Sequence, residues 1–342
     1  MILLFLAILT VNAGAVEYDI PAAPSSVAQI VPKEAETFGQ GLWQVIKACI
    51  REVNPALTKA AGVCLQLAAV VLLAGLVSGF VSGYSTKAVQ VAAAVAVGTT
   101  LLEPSVALIE LGVETVQSLS EYGKLLLPVM TSALAAQGGT TSSVGLYAAT
   151  ALFDSFLSTA ISSLLLPMIY LFLGLAVGNA ALNEPILAKI RDFLKWLMTW
   201  ILKISLYLFT GFLTVTGVVS GSADAAALKA AKITISGAVP VVGSILSDAS
   251  EAVLVGVGVL RNAAGVYGLI TVIAIFMAPF VQIGCQYILL KATGALCGSI
   301  IKNGATGLIH DFSAAMGLIV AMTATQTVLL LVSTVCFMKG VS

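Results

Sequence analysis

The apolar tract from residue 144 to residue 182 constrains the fold of this chain more than any other stretch. As one straight helix its 39 residues would extend about 58 Å, nearly twice the ~30 Å hydrocarbon core of a bilayer. We therefore expect the tract to bend or turn back. Asp154 and Pro167 are the positions that favour this, because a buried carboxylate seeks water or a partner and a proline frees a backbone carbonyl.

The composition shows that this tract is typical of the whole chain. Hydrophobic residues make up 59% of the sequence and charged residues only 9%, against roughly 25% charged residues in a soluble domain. A water-soluble globule with this composition could not cover its own surface. We predict an all-α, polytopic α-helical membrane protein with about five to seven transmembrane helices, because a helix satisfies its own backbone hydrogen bonds in hydrocarbon.

Charge and motifs exclude several functions. Sixteen basic and sixteen acidic residues leave no net charge, which argues against a nucleic-acid partner. The five cysteines form no CxxC motif and the single histidine, His310, belongs to no metal-binding motif, so we expect no metal and no cofactor. Asp154 and Asp248 lack the sequence setting of an intramembrane aspartyl protease, and we predict that the protein is not an enzyme.

The first 58 residues divide into three segments. Residues 1–15 resemble a signal peptide with an apolar core and small residues before the cleavage site, although an uncleaved anchor or a misassigned start also fits the missing basic n-region. Residues 16–38 are rich in proline and predict an extracytoplasmic linker. Residues 39–58 form an amphipathic pattern typical of a helix that lies in the membrane interface or packs on neighbouring protein.

Residues 60–122 form an N-terminal helical region whose first helix carries a repeated small residue. Gly75, Gly79 and Gly83 are spaced by four and lie on one helix face. Small residues at this spacing let two helices approach closely in lipid, so we predict a helix contact there.

An internal similarity suggests a duplication. A shift of 112 positions places Pro128 on Pro240 and Pro167 on Pro279, which predicts one membrane repeat unit at 123–222 and a second at 223–342. Proline-broken segments in paired positions build polar sites in several transporter folds. The candidate polar or mobile elements are Pro128, Pro167, Pro240, Pro279, Asp154, Asp248, Glu251, Arg261 and Asn262.

Basic residues indicate the orientation in the membrane. Lys189, Arg191, Lys195 and Lys203 are the densest basic cluster, and cytoplasmic loops carry an excess of such residues. We expect this end of the helix to face the cytoplasm.

Two blocks of sequence carry a resemblance to a known family. They are LLLPVMTSALAAQGG, starting at Leu125, and ALKAAKITISGAVPVVGSILSDASEAVLVGVGVLRNAAGVYGL, starting at Ala227. Together they resemble the stage III sporulation protein AE family, and the second block is the more specific. Arg261 stands where a lysine usually precedes the asparagine.

The resemblance implies a non-enzymatic component of a secretion-like channel that links the mother cell and the forespore and sustains late forespore development. It implies a multipass protein in the mother-cell membrane around the forespore. Implied partners are a secretion-type ATPase, ring-forming proteins and other membrane proteins of the same complex, with a homo-oligomer also open. The alternative from the residues themselves is a stand-alone secondary transporter of a small solute, since repeats and intramembrane carboxylates suit both functions.

Overall fold

The computed structural model describes residues 21–31, 38–81, 84–136, 140–215, 263–300 and 303–339. Within these ranges every regular element is helical, which confirms the all-α prediction. The helices are α1 (Phe38–Phe80), α2 (Tyr84–Ala136), α3 (Thr140–Ala160), α4 (Leu166–Leu182), α5 (Pro185–Val215), α6 (Ala263–Ile300) and α7 (Gly304–Lys339), with a π-helical turn at Ile161–Leu165.

The described helices contain six stretches that are long and apolar enough to cross a membrane. This number lies within the predicted range. The six stretches are Phe38–Phe80, Ser85–Ser132, Leu146–Leu182, Pro185–Phe212, Gly265–Ile300 and Gly304–Met338.

Helix α7 is the centre of the bundle. The most apolar window of α7 is 94% buried, whereas the corresponding window of α1 is 22% buried. Helices α2, α3, α4, α5 and α6 all contact α7. The other helices therefore present the apolar surface that a bilayer would cover, and α7 is enclosed by protein.

Close contacts fix the direction of the helices around α7. Helices α6 and α7 are antiparallel, because Gly265 packs on Met338 while Gly294, 29 residues later, packs on Ile309. Helix α4 is also antiparallel to α7, since Gly304 contacts the backbone of Ala180.

Two further contacts show that α2 is parallel to α7. Gly112 packs on Ile319, and Gly123, 11 residues later, packs on Leu330. A Cβ atom at Gly112 would collide with Ile319, so the glycine lets the two helices approach.

Helix α1 runs parallel to α6. Gly41 packs on Ile270, and Cys64, 23 residues later, lies against Thr293. We call the end of the bundle where α1, α3 and α6 begin the upper end, and the end where α2, α5 and α7 begin the lower end. The prediction of a cytoplasmic basic cluster assigns the lower end, where Arg191 lies, to the cytoplasm, and it stays a prediction.

The backbone passes through prolines that were expected to break it. Pro128 lies inside α2 and Pro279 lies inside α6, so the prediction of broken segments is wrong at both positions. Membrane helices tolerate proline where neighbouring helices and local adjustments satisfy the freed carbonyl.

The long apolar tract deviates without turning back. Its helix continues from α3 to α4 through the π-helical turn, where the Leu166 N–H donates to the carbonyl of Ile161. Pro167 has no N–H and its ring crowds the carbonyl of residue 163, so a widened turn directly before it relieves the clash. The deviation therefore lies between Asp154 and Pro167.

The predicted segment boundaries fall differently in the structure. Helix α1 runs through Pro55 and joins residues 39–58 to the apolar stretch from residue 60, and the boundary between residues 122 and 123 lies inside α2. Part of the predicted linker packs on the bundle, because the Ala23 N–H donates to the Tyr267 hydroxyl at 3.2 Å and Val27 is buried. Residues 1–20, including the predicted signal peptide, lie outside the described residues.

Candidate functional site: a buried carboxylate that joins three helices

Asp154 lies in the core and connects α2, α3 and α7. The Ser120 hydroxyl donates to Oδ2 of Asp154 at 2.7 Å, and the amide nitrogen of Gln326 donates to Oδ1 at 2.5 Å. All three side chains are at most 2% exposed. The carboxylate is thus the common acceptor for two helices that are distant in sequence.

The local sequence explains why Asp154 points inward. Thr150, Asp154, Leu157 and Ile161 are spaced by four, three and four residues, and all four are buried, so they form the inner face of α3. On α2, Gly123 leaves room for the carboxylate, since a Cβ atom there would lie 3.7 Å from Oδ1 of Asp154.

The electrostatic setting of Asp154 is unusual for a membrane core. Among the described residues no cation lies within 4.0 Å of its carboxylate, so the two hydrogen bonds are its main stabilisation. Two nearby polar atoms lack a partner in the described chain, Oγ1 of Thr150 and Oε1 of Gln326. Buried polar groups in a low dielectric are costly unless satisfied, and this site can bind a proton or a water molecule.

A second polar contact lies toward the lower end. Nη1 of Arg191 on α5 donates to Oδ2 of Asp311 on α7 at 2.6 Å, and the two side chains are only 16% and 10% exposed. The guanidinium also contacts the exposed Asp192 at 2.9 Å. The pair fixes α5 against the central helix.

An open cavity of about 510 Å³ adjoins this pair. Asp311 lines it together with Asn179, Asn183 and Asn303. Asn183 caps α4 with φ of 53°, a left-handed conformation that asparagine tolerates well. The cavity is therefore polar on the side that faces the connection between α4 and α5.

The structure places the predicted residues as follows. Of the glycines on α1, Gly75 is half-buried and Gly79 is exposed, with no atom within 4 Å of a Cβ built at Gly79. The predicted contact at these glycines is thus not made by the described chain at Gly79 and stays a prediction. Pro128 and Pro167 are exposed, and Pro279 is buried. Gly83, Pro240, Asp248, Glu251, Arg261 and Asn262 lie outside the described residues, and so does the test of the duplication at Pro240.

Comparison with known proteins identifies the family. Residues 25–340 match the family described as stage III sporulation protein AE. The chain belongs to the stage III sporulation protein AE family. This match includes all six candidate membrane spans.

One relative from the family is well characterised by name. The stage III sporulation protein AE of Bacillus subtilis (strain 168) is 22% identical over 183 residues, which covers 54% of this chain and 46% of that relative. The aligned part of the chain thus spans about half the length of the relative. No solved structure matches the chain.

Sequence reasoning found Asp154 but missed its partners. Ser120 was unremarkable in an amphipathic stretch, and it lies 34 residues from Asp154 in sequence. Gln326 is 172 residues away, and its available signal was an amide inside an apolar span. For members of the stage III sporulation protein AE family, such polar residues in apolar helices are the positions to compare.

Proposed function

We propose that this member of the family is a non-enzymatic integral membrane component of a sporulation-specific, secretion-like channel that links the mother cell and the forespore and is needed for late forespore development. We place it in the mother-cell membrane around the forespore. Its partners in this proposal are a secretion-type ATPase, ring-forming proteins and other membrane proteins of the complex.

The family match over residues 25–340 carries this proposal, and the fold supports it. Helix α7 is enclosed by five other helices and would be removed from lipid. A hub of this kind suits a membrane scaffold on which other subunits assemble, because the outer helices can bind partners without disturbing the core.

The hydrogen bonds of Asp154 would hold this scaffold in one register. They join α2 and α7, which are parallel, to α3, which is antiparallel to both. A polar contact inside a bundle can specify a unique alignment of helices that apolar packing alone leaves degenerate.

The proposal is tested by replacing the gene in its endospore-forming host with tagged variants. We expect deletion to leave engulfed forespores that do not activate a late forespore-specific reporter. We also expect the tagged protein to be isolated with a secretion-type ATPase and ring-forming proteins from sporulating cells. Normal reporter activity in the deletion strain would overturn the proposed function.

The alternative, a stand-alone secondary transporter, is favoured by one observation, which is the uncompensated carboxylate of Asp154 in the core. Proton-coupled transporters use such residues. A transporter would move solute when the purified chain alone is placed in liposomes, and Asp154→Asn would abolish that movement. The channel component would instead need its partners, and Asp154→Asn would keep reporter activity if the amide preserves the hydrogen bonds.

A further inference from the structure

One face of α2 carries a row of acidic and amide side chains without partners. Glu110, Glu114, Gln117 and Glu121 follow at intervals of four, three and four residues, so they share one helix face. All four are exposed, and Glu103 extends the row by two turns. None of the glutamates forms an ion pair with a described residue.

One face of α1 carries a basic and polar row with the same spacing. Lys47, Arg51, Asn54 and Thr58 also follow at intervals of four, three and four residues, and all four are exposed. The ammonium of Lys47 lies over the ring of Trp43 at 5.5 Å, yet neither Lys47 nor Arg51 forms an ion pair with a described residue.

The two rows lie at the same depth in the bundle. The contacts that align α1 with α6, α6 with α7 and α7 with α2 give a common scale along the bundle axis. On that scale Lys47 is level with Glu121, and Thr58 is level with Glu110, each within about two residues or 3 Å. Because α1 and α2 are antiparallel, the basic and acidic rows match along their whole length.

Lipid cannot be the neighbour of the acidic row. Glu121 follows Ser120, which bonds Asp154, and two residues after Asp154 the side chain of Phe156 is 59% exposed on α3. At one depth, therefore, the bundle exposes a phenyl ring on one side and a carboxylate on another. A bilayer offers a single hydrocarbon slab at that depth, in which a phenyl ring is favourable and a carboxylate is not.

We propose that the acidic row of α2 docks against the basic row of α1 in a second copy of this chain. The match in charge, spacing, direction and depth selects this occupant over lipid or a partner of unknown charge. Equal depth requires that the two copies are related by a rotation about the membrane normal, which gives a closed oligomer and not a filament. The proposal goes beyond the proposed function, since it depends on the charges and their depth alone.

Cross-linking between differently tagged copies tests the contact. One copy carries Arg51→Cys and the other carries Gln117→Cys, in a background whose five native cysteines, all free, are replaced by alanine. After co-expression and mild oxidation in native membranes, we expect a disulfide that joins the two tags. The matched control pairs Arg51→Cys with Phe156→Cys, which lies at a similar depth on another side, and we expect no bond.

Three results would overturn the proposal. They are the absence of a bond between the tags, equal bonding with the Phe156→Cys control, and a bond that forms only inside a single chain carrying both cysteines. The last result would mean that the two rows pair within one copy. Because the bond is read in membranes irrespective of sporulation, failure of the proposed function leaves this test intact.

Charge reversal gives an independent measurement that allows for misfolding. Lys47→Glu with Arg51→Glu should lower co-purification of differently tagged copies by about tenfold or more, since like charges would then face each other. Adding Glu114→Lys and Glu121→Lys in the same chain should restore co-purification to within about twofold of the original. A fourfold variant that inserts normally but stays separate would refute the pairing.

Discussion

Replacing Asp154 by alanine gives the sharpest test of the core. The change leaves two buried donors, the Ser120 hydroxyl and the Gln326 amide, without their acceptor. An unsatisfied buried donor costs about 1–3 kcal/mol, whereas hydrogen bonds between membrane helices average about 0.6 kcal/mol. We expect Asp154→Ala to lower the free energy of unfolding by about 2–4 kcal/mol.

Two further variants separate the hydrogen bonds from the charge. In Asp154→Asn the amide oxygen still accepts from Gln326, and the new amide N–H can donate to Oε1 of Gln326, which has no partner in the described chain. We expect this variant to stay within about 1 kcal/mol of the original protein. Removing both partners in Asp154→Ala with Gln326→Leu should cost less than the sum of the single changes.

The measurement is reversible unfolding of the purified protein in lipid bicelles, with Ser155→Ala as the control. Ser155 is the next residue on α3, but it is exposed. If Asp154→Ala and Ser155→Ala unfold with free energies that agree within about 0.5 kcal/mol, then the carboxylate does not hold the three helices together.

Three other predictions follow from single contacts. Gly112→Ala should destabilise the bundle because its methyl would collide with α7, whereas Gly79→Ala, with open space around it, should be neutral or stabilise by up to about 1 kcal/mol; thermal unfolding of both compares them. Arg191→Leu should lower the unfolding free energy by about 3–5 kcal/mol by leaving Asp311 buried and unpaired, and adding Asp311→Leu should recover part of that loss in the same bicelle assay. Asn183→Val should cost about 1–2 kcal/mol because of its left-handed backbone, and Asn183→Gly should not; equal unfolding midpoints would contradict this.

The membrane class and the position of Asp154 could be read from the sequence because both depend on local transfer free energies. Apolar stretches of spanning length report themselves, and a carboxylate among them is conspicuous wherever it packs. The behaviour of Pro128 and Pro279 could not be read in this way. Whether a proline breaks a helix depends on how neighbouring helices satisfy the freed carbonyl, and those neighbours come from distant sequence.

The partners of Asp154 illustrate the same limit. Ser120 and Gln326 meet the carboxylate only because α2 and α7 run parallel at one register, which is set by Gly112 and Gly123. Nothing near Gln326 in the sequence indicates that its amide faces α3 and not a solvent-filled space. The central position of α7 was equally hidden, since its composition resembles that of the outer helices.

The central position of α7 also bears on how the protein is made. In chain order α7 comes after every helix that surrounds it, so α1 to α6 enter the bilayer before their common neighbour has been synthesised. At roughly 5–20 residues per second, the ribosome needs several seconds more to deliver α7. During that interval Asp154 and Ser120 have no Gln326, and the nascent helices must either keep a vacant centre or stay apart. Final assembly is therefore a single late event, in which one helix slides into place and closes the bundle.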